Sequence, residues 1–538
     1  MEEKSSSNKG FLILSIAGLV SKIISVFYIP ILQRILGLSG YGIYQNCYEV
    51  FLFAYAVTNL GTQPAIAKVV AELSALGKHE DAIRTLKISK MILALVGGII
   101  AVLLMLLAFP IGNMIGNPEA SYGIMMLAPS IFVTSVLSSY RGYFQGISSM
   151  TAIAVSQVLE QVINILVSLT CAFFLVKITI AYGSAGGTVG TSVGALVACL
   201  YMIYVYKSER FEEKAYEEAE KHHQKRIRTK SIIRKLIRYG LPITLTSGLQ
   251  NFGSLVDMVN VNSRLAHAGF TLTQSQALYG VLGRYKTLLS VPLIIVTSLA
   301  TTVLPAVSAA MALKNKKEVR KNVNFAFRIT FIITIPAAIG LSCLAGPVFE
   351  LLYGTSEGFE LMMIGSIVLV IQAVVQIQTT ILQSMNKLYY VLMTFCIGIV
   401  AKIIANFILV GIPNINILGV VAGNLLWFLI PMILNQRALK KTLRIKISLI
   451  RNVTIPLISS LVMAAIVLIL EKPSDVFITL SGGGYIIKSC ITLFIIAVGG
   501  FVYLYLMILL GGIRKNDLDS ISGRIYGLLP RILRKSMK

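Results

Sequence analysis

Five basic residues, Lys22, Lys68, Arg284, Lys286 and Lys402, fall within or at the ends of long apolar runs. A charge at bilayer depth costs about 3 kcal/mol or more, so a ligand or a counter-charge must hold it there. Cations in such a place suit an anion, above all phosphate or diphosphate, held by charge-assisted hydrogen bonds. Arg264, at the rim of another apolar run, belongs with them, and Gln250 and Asn251 join the candidate substrate contacts. Gln157, Glu160, Gln161, Asn164 and Ser168 recur at i, i+3/4, i+7 and i+11, one helical stripe that must face protein or water. Gln250, Ser254 and Asp257 repeat that pattern, and Asn406 follows Lys402 by one turn. Glu160, Asp257, Glu49 and Lys402 are therefore candidates for ion pairing or for answering a coupling ion. Gln157, Gln161 and Asn164 would line an aqueous cavity.

The plainer reading is internal pairing, for example Lys22 with Glu160 or Arg284 with Asp257. Arg141, in the run Ser138-Ser139-Tyr140-Arg141-Gly142, either meets an anionic headgroup on its way in or snorkels to the inner interface. Snorkelling is the expectation. Other chemistry finds no support. The glycines at 482–484 reach Lys488-Ser489 without the glycine a phosphate-binding loop places before its lysine, and neither H-E-x-x-H nor G-x-S-x-G occurs. The six cysteines (Cys47, Cys171, Cys199, Cys343, Cys396, Cys490) lie in apolar stretches without a CxxC pair, so they read as small buried hydrophobes. Four histidines, two of them in a charged loop, argue against a metal site. No cofactor is expected.

The elements that position these residues are membrane helices. Of 538 residues, 56% are hydrophobic and 13% charged, with a mean hydropathy of +0.79. A soluble domain carries roughly 25% charged residues to wet its surface, so a string of soluble domains is excluded. Segmentation by about 20 apolar residues per span predicts an all-α polytopic protein with fourteen spans. They are 11–33, 43–71, 89–115, 121–140, 150–176, 184–206, 239–261, 277–311, 326–347, 361–384, 388–411, 416–436, 449–470 and 485–511. The second and eighth exceed one straight span, and Pro64 and Pro305 suggest bends or extensions. The first apolar run is followed at once by others without a small-residue cleavage site, so it reads as a retained helix.

A net charge of +25 in a soluble chain would suggest nucleic acid; here it orients the spans. With the N-terminus inside, 38 of the 48 basic residues fall in inner segments and five in outer loops. Both termini are then cytoplasmic and no nucleic acid is implied.

The chain also repeats itself. Arg34-Ile-Leu-Gly37, Tyr41-Gly42 and Pro64-Ala-Ile-Ala67 recur as Arg264-Leu-Ala with Gly269, Tyr279-Gly280 and Pro305-Ala-Val-Ser308. Each copy begins on an odd-numbered span, which implies two six-helix lobes related by an axis along the membrane normal. The expected organisation is an N-terminal lobe (1–206), a charged cytoplasmic linker (207–238), a C-terminal lobe (239–440), an extra helix pair (441–511) and a basic tail (512–538). The linker opens acidic and ends basic, its basic half expected against anionic lipid. Gly186, Gly190 and Gly194 form a close-packing face.

Arg34-Ile-Leu-Gly-Leu-Ser-Gly-Tyr-Gly-Ile-Tyr44 followed by Gly61-Thr-Gln-Pro-Ala-Ile-Ala-Lys68 resembles the opening of the stage V sporulation protein B family. Tyr140-Arg-Gly-Tyr-Phe-Gln-Gly146, Leu241-Pro-Ile-Thr244 and Leu255-Val-Asp257 fit as well, and the similarity runs over nearly the whole chain. That family lies in the multidrug/oligosaccharidyl-lipid/polysaccharide exporter superfamily and includes flippases for lipid II. The resemblance implies two lobes around a cationic cavity that opens alternately, with the last two spans forming a groove for the lipid tail. It implies an undecaprenyl-diphosphate-linked oligosaccharide as substrate, membrane lipids as surroundings, and the cell-wall synthesis machinery as a candidate partner. Peptidoglycan or polysaccharide synthesis, cell shape and sporulation are the matching processes, in the plasma membrane. Ser21-Lys22 stands where the Gram-negative branch has Ser-Arg, and that branch's acidic residue is missing from Gly40–Tyr44. On this reading Lys22, Arg264, Arg284 and Lys286 hold diphosphate and sugar. Teichoic or capsular precursors are alternative substrates. A multidrug exporter would show acids and aromatics and twelve spans, and a polyprenyl-phosphate transferase would show acidic or histidine clusters at one face.

Overall fold

The computed structural model describes residues 2–209, 211, 226–313, 315–385, 387–443, 449–480 and 484–512, and every regular element among them is helical. The basic tail from 513 onward and residues 210 and 212–225 of the linker lie outside the described residues.

Helix α1 (Glu2–Tyr55) carries the first expected span and the start of the second. Gly37 interrupts it at φ 69° with nothing within 4 Å of where a Cβ would stand, so backbone conformation, not crowding, demands glycine there. A π turn at Ala56–Leu60 precedes α2 (Thr62–Ala75). The excess length of the second span is thus absorbed at 56–60, and Pro64 sits in the first turn of α2, where no helical N–H bond is lost. The first half continues through α3 (His79–Met114), α4 (Ala120–Gly146), α5 (Met150–Leu175) and α6 (Ile180–Ser208). Helices α7 (Thr229–His267), α8 (Leu272–Ala312), α9 (Lys316–Cys343), α10 (Ala345–Tyr353), α11 (Phe359–Gly365) and α12 (Ile367–Ser384) follow. The last are α13 (Leu388–Leu409), α14 (Gly419–Leu443), α15 (Leu449–Leu480) and α16 (Tyr485–Leu509).

Twelve helical stretches among the described residues are long and apolar enough to cross a membrane. This is compatible with the fourteen expected. The first expected span has most of its side chains outside the described residues, and the seventh lies within α7, where Gln250, Asn251, Asp257, Asn260 and Asn262 dilute its hydropathy.

The chain forms two compact units, 1–284 with 403–420 and 285–402 with 421–538. In the first, α5 and α6 pack through glycine. A Cβ on Gly186 would stand 2.9 Å from the Cys171 carbonyl, and one on Gly190 would overlap the Asn164 carbonyl. The backbones touch, as small residues at helix contacts allow. Gly190→Leu is expected to cost about 1–3 kcal/mol by overpacking and to lower the melting temperature in detergent. Gly500→Leu, with nothing within 4 Å of its Cβ position, should melt like the parent.

The same unit holds two further glycine crossings. Tyr41-Gly42 of α1 meets Tyr279-Gly280 of α8: a Cβ on Gly42 would overlap the Gln276 carbonyl, and one on Gly280 the Leu38 carbonyl. Two copies of the sequence repeat therefore face each other, with both tyrosines fully buried. Beyond the C-terminal end of α1, Gly61 faces Thr244 and the Gly240 carbonyl of α7.

Two basic residues expected against lipid instead have protein partners. Arg226 pairs with Glu80 at 2.7 Å and Lys235 with Glu72 at 3.0 Å, while Asp81 accepts from the Ile227 N–H and from Arg84. These carboxylates sit on α2 and the first turn of α3, within reach of the chain as it enters α7.

In the second unit, α9 packs on α12 and α15, and α15 on α16. Gly499 lets α16 approach α15, its Cβ position lying 2.9 Å from Val467. The Tyr503 hydroxyl donates to the Ile332 carbonyl at 2.7 Å. Lys488 pairs with Glu350 of α10 at 3.2 Å. Cys47 and Cys199 are buried as expected, whereas Cys396 and Cys490 are exposed on helix faces.

Candidate functional site

The acids and cations of the sequence divide into groups with distinct surroundings. The first is built by the turn between α4 and α5. Ser148 takes φ 60°, reversing the chain over 147–149. Arg141 stands seven residues before that turn point and Ser156 eight after it, so antiparallel helices bring them level. The Arg141 Nε donates to Ser156 Oγ at 3.0 Å, and its Nη2 to Glu160 Oε2 at 2.7 Å. Arg141 is 8% exposed. The expectation that it snorkels to the interface is corrected: Glu160 supplies the counter-charge, and the side chain points into the unit.

Above this pair, α1 presents Tyr41, Tyr44, Tyr48, Phe51 and Tyr55, with neighbouring ring centroids 5.4–5.9 Å apart. Tyr48 and Tyr55 lie close enough to Glu160 to feel its charge. Sequence reasoning missed this stripe, although its spacing of three, four, three and four is a plain helical signal. The π turn after it buries Asn59, which accepts from Ser138 Oγ at 3.0 Å and donates to Thr134 Oγ1 at 3.3 Å. Such turns are frequent where a helix carries function.

A second group links α7 and the end of α13 in three rungs. Asn406 Nδ2 donates to Asp257 Oδ1 at 2.9 Å, and both residues are buried. Asn260 Nδ2 donates to the Ile403 carbonyl at 3.1 Å. The Arg264 guanidinium lies 4.1 Å from the centroid of the Phe407 ring. Asn262 donates to Asn46 of α1 at 3.1 Å, and Gln276 of α8 donates to Asn117 at 3.1 Å and to Glu119 at 2.8 Å. These contacts join residues far apart in sequence, so no local pattern announces them.

The remaining candidates stand as follows. Arg284 is buried on α8 and Glu49 on α1. Lys286 is half-buried two residues beyond Arg284. Lys402, in the second unit, is fully buried with its Nζ 4.0 Å from the Trp427 ring centroid, a cation–π contact that helps hold a charge away from water. Lys68 sits over the Tyr239 ring at 3.9 Å. Gln250 is exposed, and Asn251 Nδ2 donates to the Ser247 carbonyl of its own helix at 2.8 Å. On α5, Gln157, Gln161 and Asn164 are half-buried, and Asn164 Oδ1 accepts from Ser168. Lys22 lies in α1, but its side chain is outside the described residues.

Comparison with known proteins agrees with this architecture. The chain is 27% identical over 444 residues to the stage V sporulation protein B of Bacillus subtilis (strain 168), covering 82% of this chain and 85% of that one. It is 25% identical over 553 residues to the lipid II flippase MurJ of the same organism, covering 98% of each. A solved lipid II flippase MurJ in an inward closed conformation shares the fold with a TM-score of 0.65 at 15% identity, over 91% of this chain and 98% of that one. A family profile described as "Polysaccharide biosynthesis protein" matches residues 7–311, more than half of the sequence. The chain is thus a multi-pass membrane protein and belongs to the polysaccharide biosynthesis protein family.

Proposed function

We propose that the protein is a flippase that carries an undecaprenyl-linked cell-wall precursor, lipid II, from the inner to the outer leaflet by alternating access. The observation that carries this reading is the burial of ionisable side chains on apolar helices, Arg284 at 3%, Asp257 at 1% and Lys402 at 0% exposure. A fold without a transported ion or anion has little use for such charges at that depth. The likeness to a lipid II flippase over the full length of both chains supports the substrate class.

In this reading Arg284, Lys286 and Lys22 hold the diphosphate, and Arg264 holds it at the outer rim. Gln250 and Asn251 contact the sugars. Asp257 and Glu49 balance the cations in the empty state, and Asp257 answers the coupling ion. Both termini are cytoplasmic, and the driving force is a gradient, the membrane potential or consumption of the product outside.

The test is depletion of the protein followed by measurement of each undecaprenyl-linked precursor on the inner leaflet. Lipid II is expected to accumulate there. Accumulation of a teichoic or capsular precursor instead would reassign the substrate, and accumulation of none would overturn the flippase reading.

A further inference from the structure

A cavity of about 620 Å³ lies in the first unit, within the size range of small-molecule sites. Phe53 of α1, Leu103 and Leu107 of α3 and Phe252 of α7 line it, together with Asn260 and Ile403. Asn260 is the one polar residue in its lining, and its Nδ2 already donates to the Ile403 carbonyl. No hydrogen-bonding ligand is invited along the walls. The cavity is open at the side, with Leu103 48% exposed.

The residues just beyond Asn260 and Ile403 have a different character. One helical turn beyond Asn260 and Ile403 come Arg264 and Phe407, the next rung between the same two helices. The Arg264 Nε is shielded from solvent and has no hydrogen-bond partner among the described residues. A hydrocarbon groove with a guanidinium one helical turn beyond its polar residue complements an amphiphile with one long chain and an anionic head. The tilted rings of Phe53 and Phe252, 6.0 Å apart, give the groove bulky, irregular walls suited to a branched chain. Along α3 the lining runs from Ile100 to Ile115, and with the N-terminus inside this is the outer half of the membrane.

We infer that this groove binds the polyprenyl chain of the translocated lipid in its outer-leaflet position, with the diphosphate against Arg264. The inference rests on the flippase reading and assigns the departing chain to α1, α3 and α7 rather than to the α15–α16 pair.

The test places a photoreactive benzophenone amino acid at Leu103, or at the lipid-facing Leu468 of α15, in full-length protein in phosphatidylglycerol nanodiscs containing undecaprenyl diphosphate. Adducts are read by mass spectrometry after illumination. A polyprenyl adduct is expected at position 103. It should fall about tenfold in Arg264→Gln, the loss of one charge-assisted contact, and disappear in Ala54→Trp, which fills the groove. A polyprenyl adduct at 468 alone would overturn the groove and leave the flippase reading standing. Phospholipid adducts alone at 103 would overturn the groove's assignment to the polyprenyl chain. No polyprenyl adduct at either position, with no translocation of the lipid in vesicles, would overturn both.

Discussion

Arg284→Ala is expected to lower translocation about 100-fold while leaving protein levels in the membrane unchanged. Removing one partner of a desolvated, hydrogen-bonded charge pair costs about 2–5 kcal/mol, and 1.4 kcal/mol is a factor of ten. Arg284→Lys keeps the charge at the same depth but loses the planar fork that grips two phosphate oxygens, so it should recover only part of the rate. The readout is the fraction of lipid II reaching the outer leaflet, set beside an immunoblot of the membrane fraction. Wild-type translocation in Arg284→Ala would remove this residue from the diphosphate site. A lysine variant as inactive as the alanine variant, at equal protein level, would show that planar geometry and not charge alone is needed.

Arg141→Ala should lower stability by about 3 kcal/mol, because it strands Glu160 in a partly desolvated place. Glu160 keeps 28% side-chain exposure, which holds the loss to the lower end of the range for a buried pair. Glu160→Ala should act similarly by stranding Arg141. The double variant Arg141→Met/Glu160→Met removes both charges at similar volume and should recover most of the loss, since paired apolar replacements are close to neutral. Thermal unfolding in detergent measures the cycle. The double variant is also expected to translocate at close to the wild-type rate. If it folds normally and does not translocate, the pair belongs to the substrate path after all.

The contrast between these two residues explains how far the sequence could be read. Membrane helices, their number to within a few, and the family were legible because hydropathy and glycine-tyrosine motifs are local signals. The repeat was legible in Tyr41-Gly42 and Tyr279-Gly280 because close backbone contact tolerates no other residue than glycine. The spacing of Gly186, Gly190 and Gly194 announced a contact face, and the backbone of α5 lies against it. The fate of individual charges was not legible. Arg141 at the end of an apolar run has the sequence appearance of a snorkelling residue, and only the reversal at Ser148 turns it towards Glu160. The partnership of Asp257 with Asn406 spans 149 positions and depends on α7 lying beside α13. Arg226 and Lys235 looked like lipid ligands because the carboxylates they meet, Glu80 and Glu72, are far upstream.

The crossings Gly42–Gly280 and Gly61–Gly240 have a mechanical consequence. Each brings backbone against backbone, and at the first the Ser39 hydroxyl also donates to the Gln276 side chain at 2.7 Å. Parting the first costs that one hydrogen bond and the lost packing, a small sum beside the breaking of a buried ion pair. A seam of this kind closes tightly without a latch. The force needed to open it is set by the neighbours that move with it, and a single added methyl group acts as a permanent wedge on one side of the membrane.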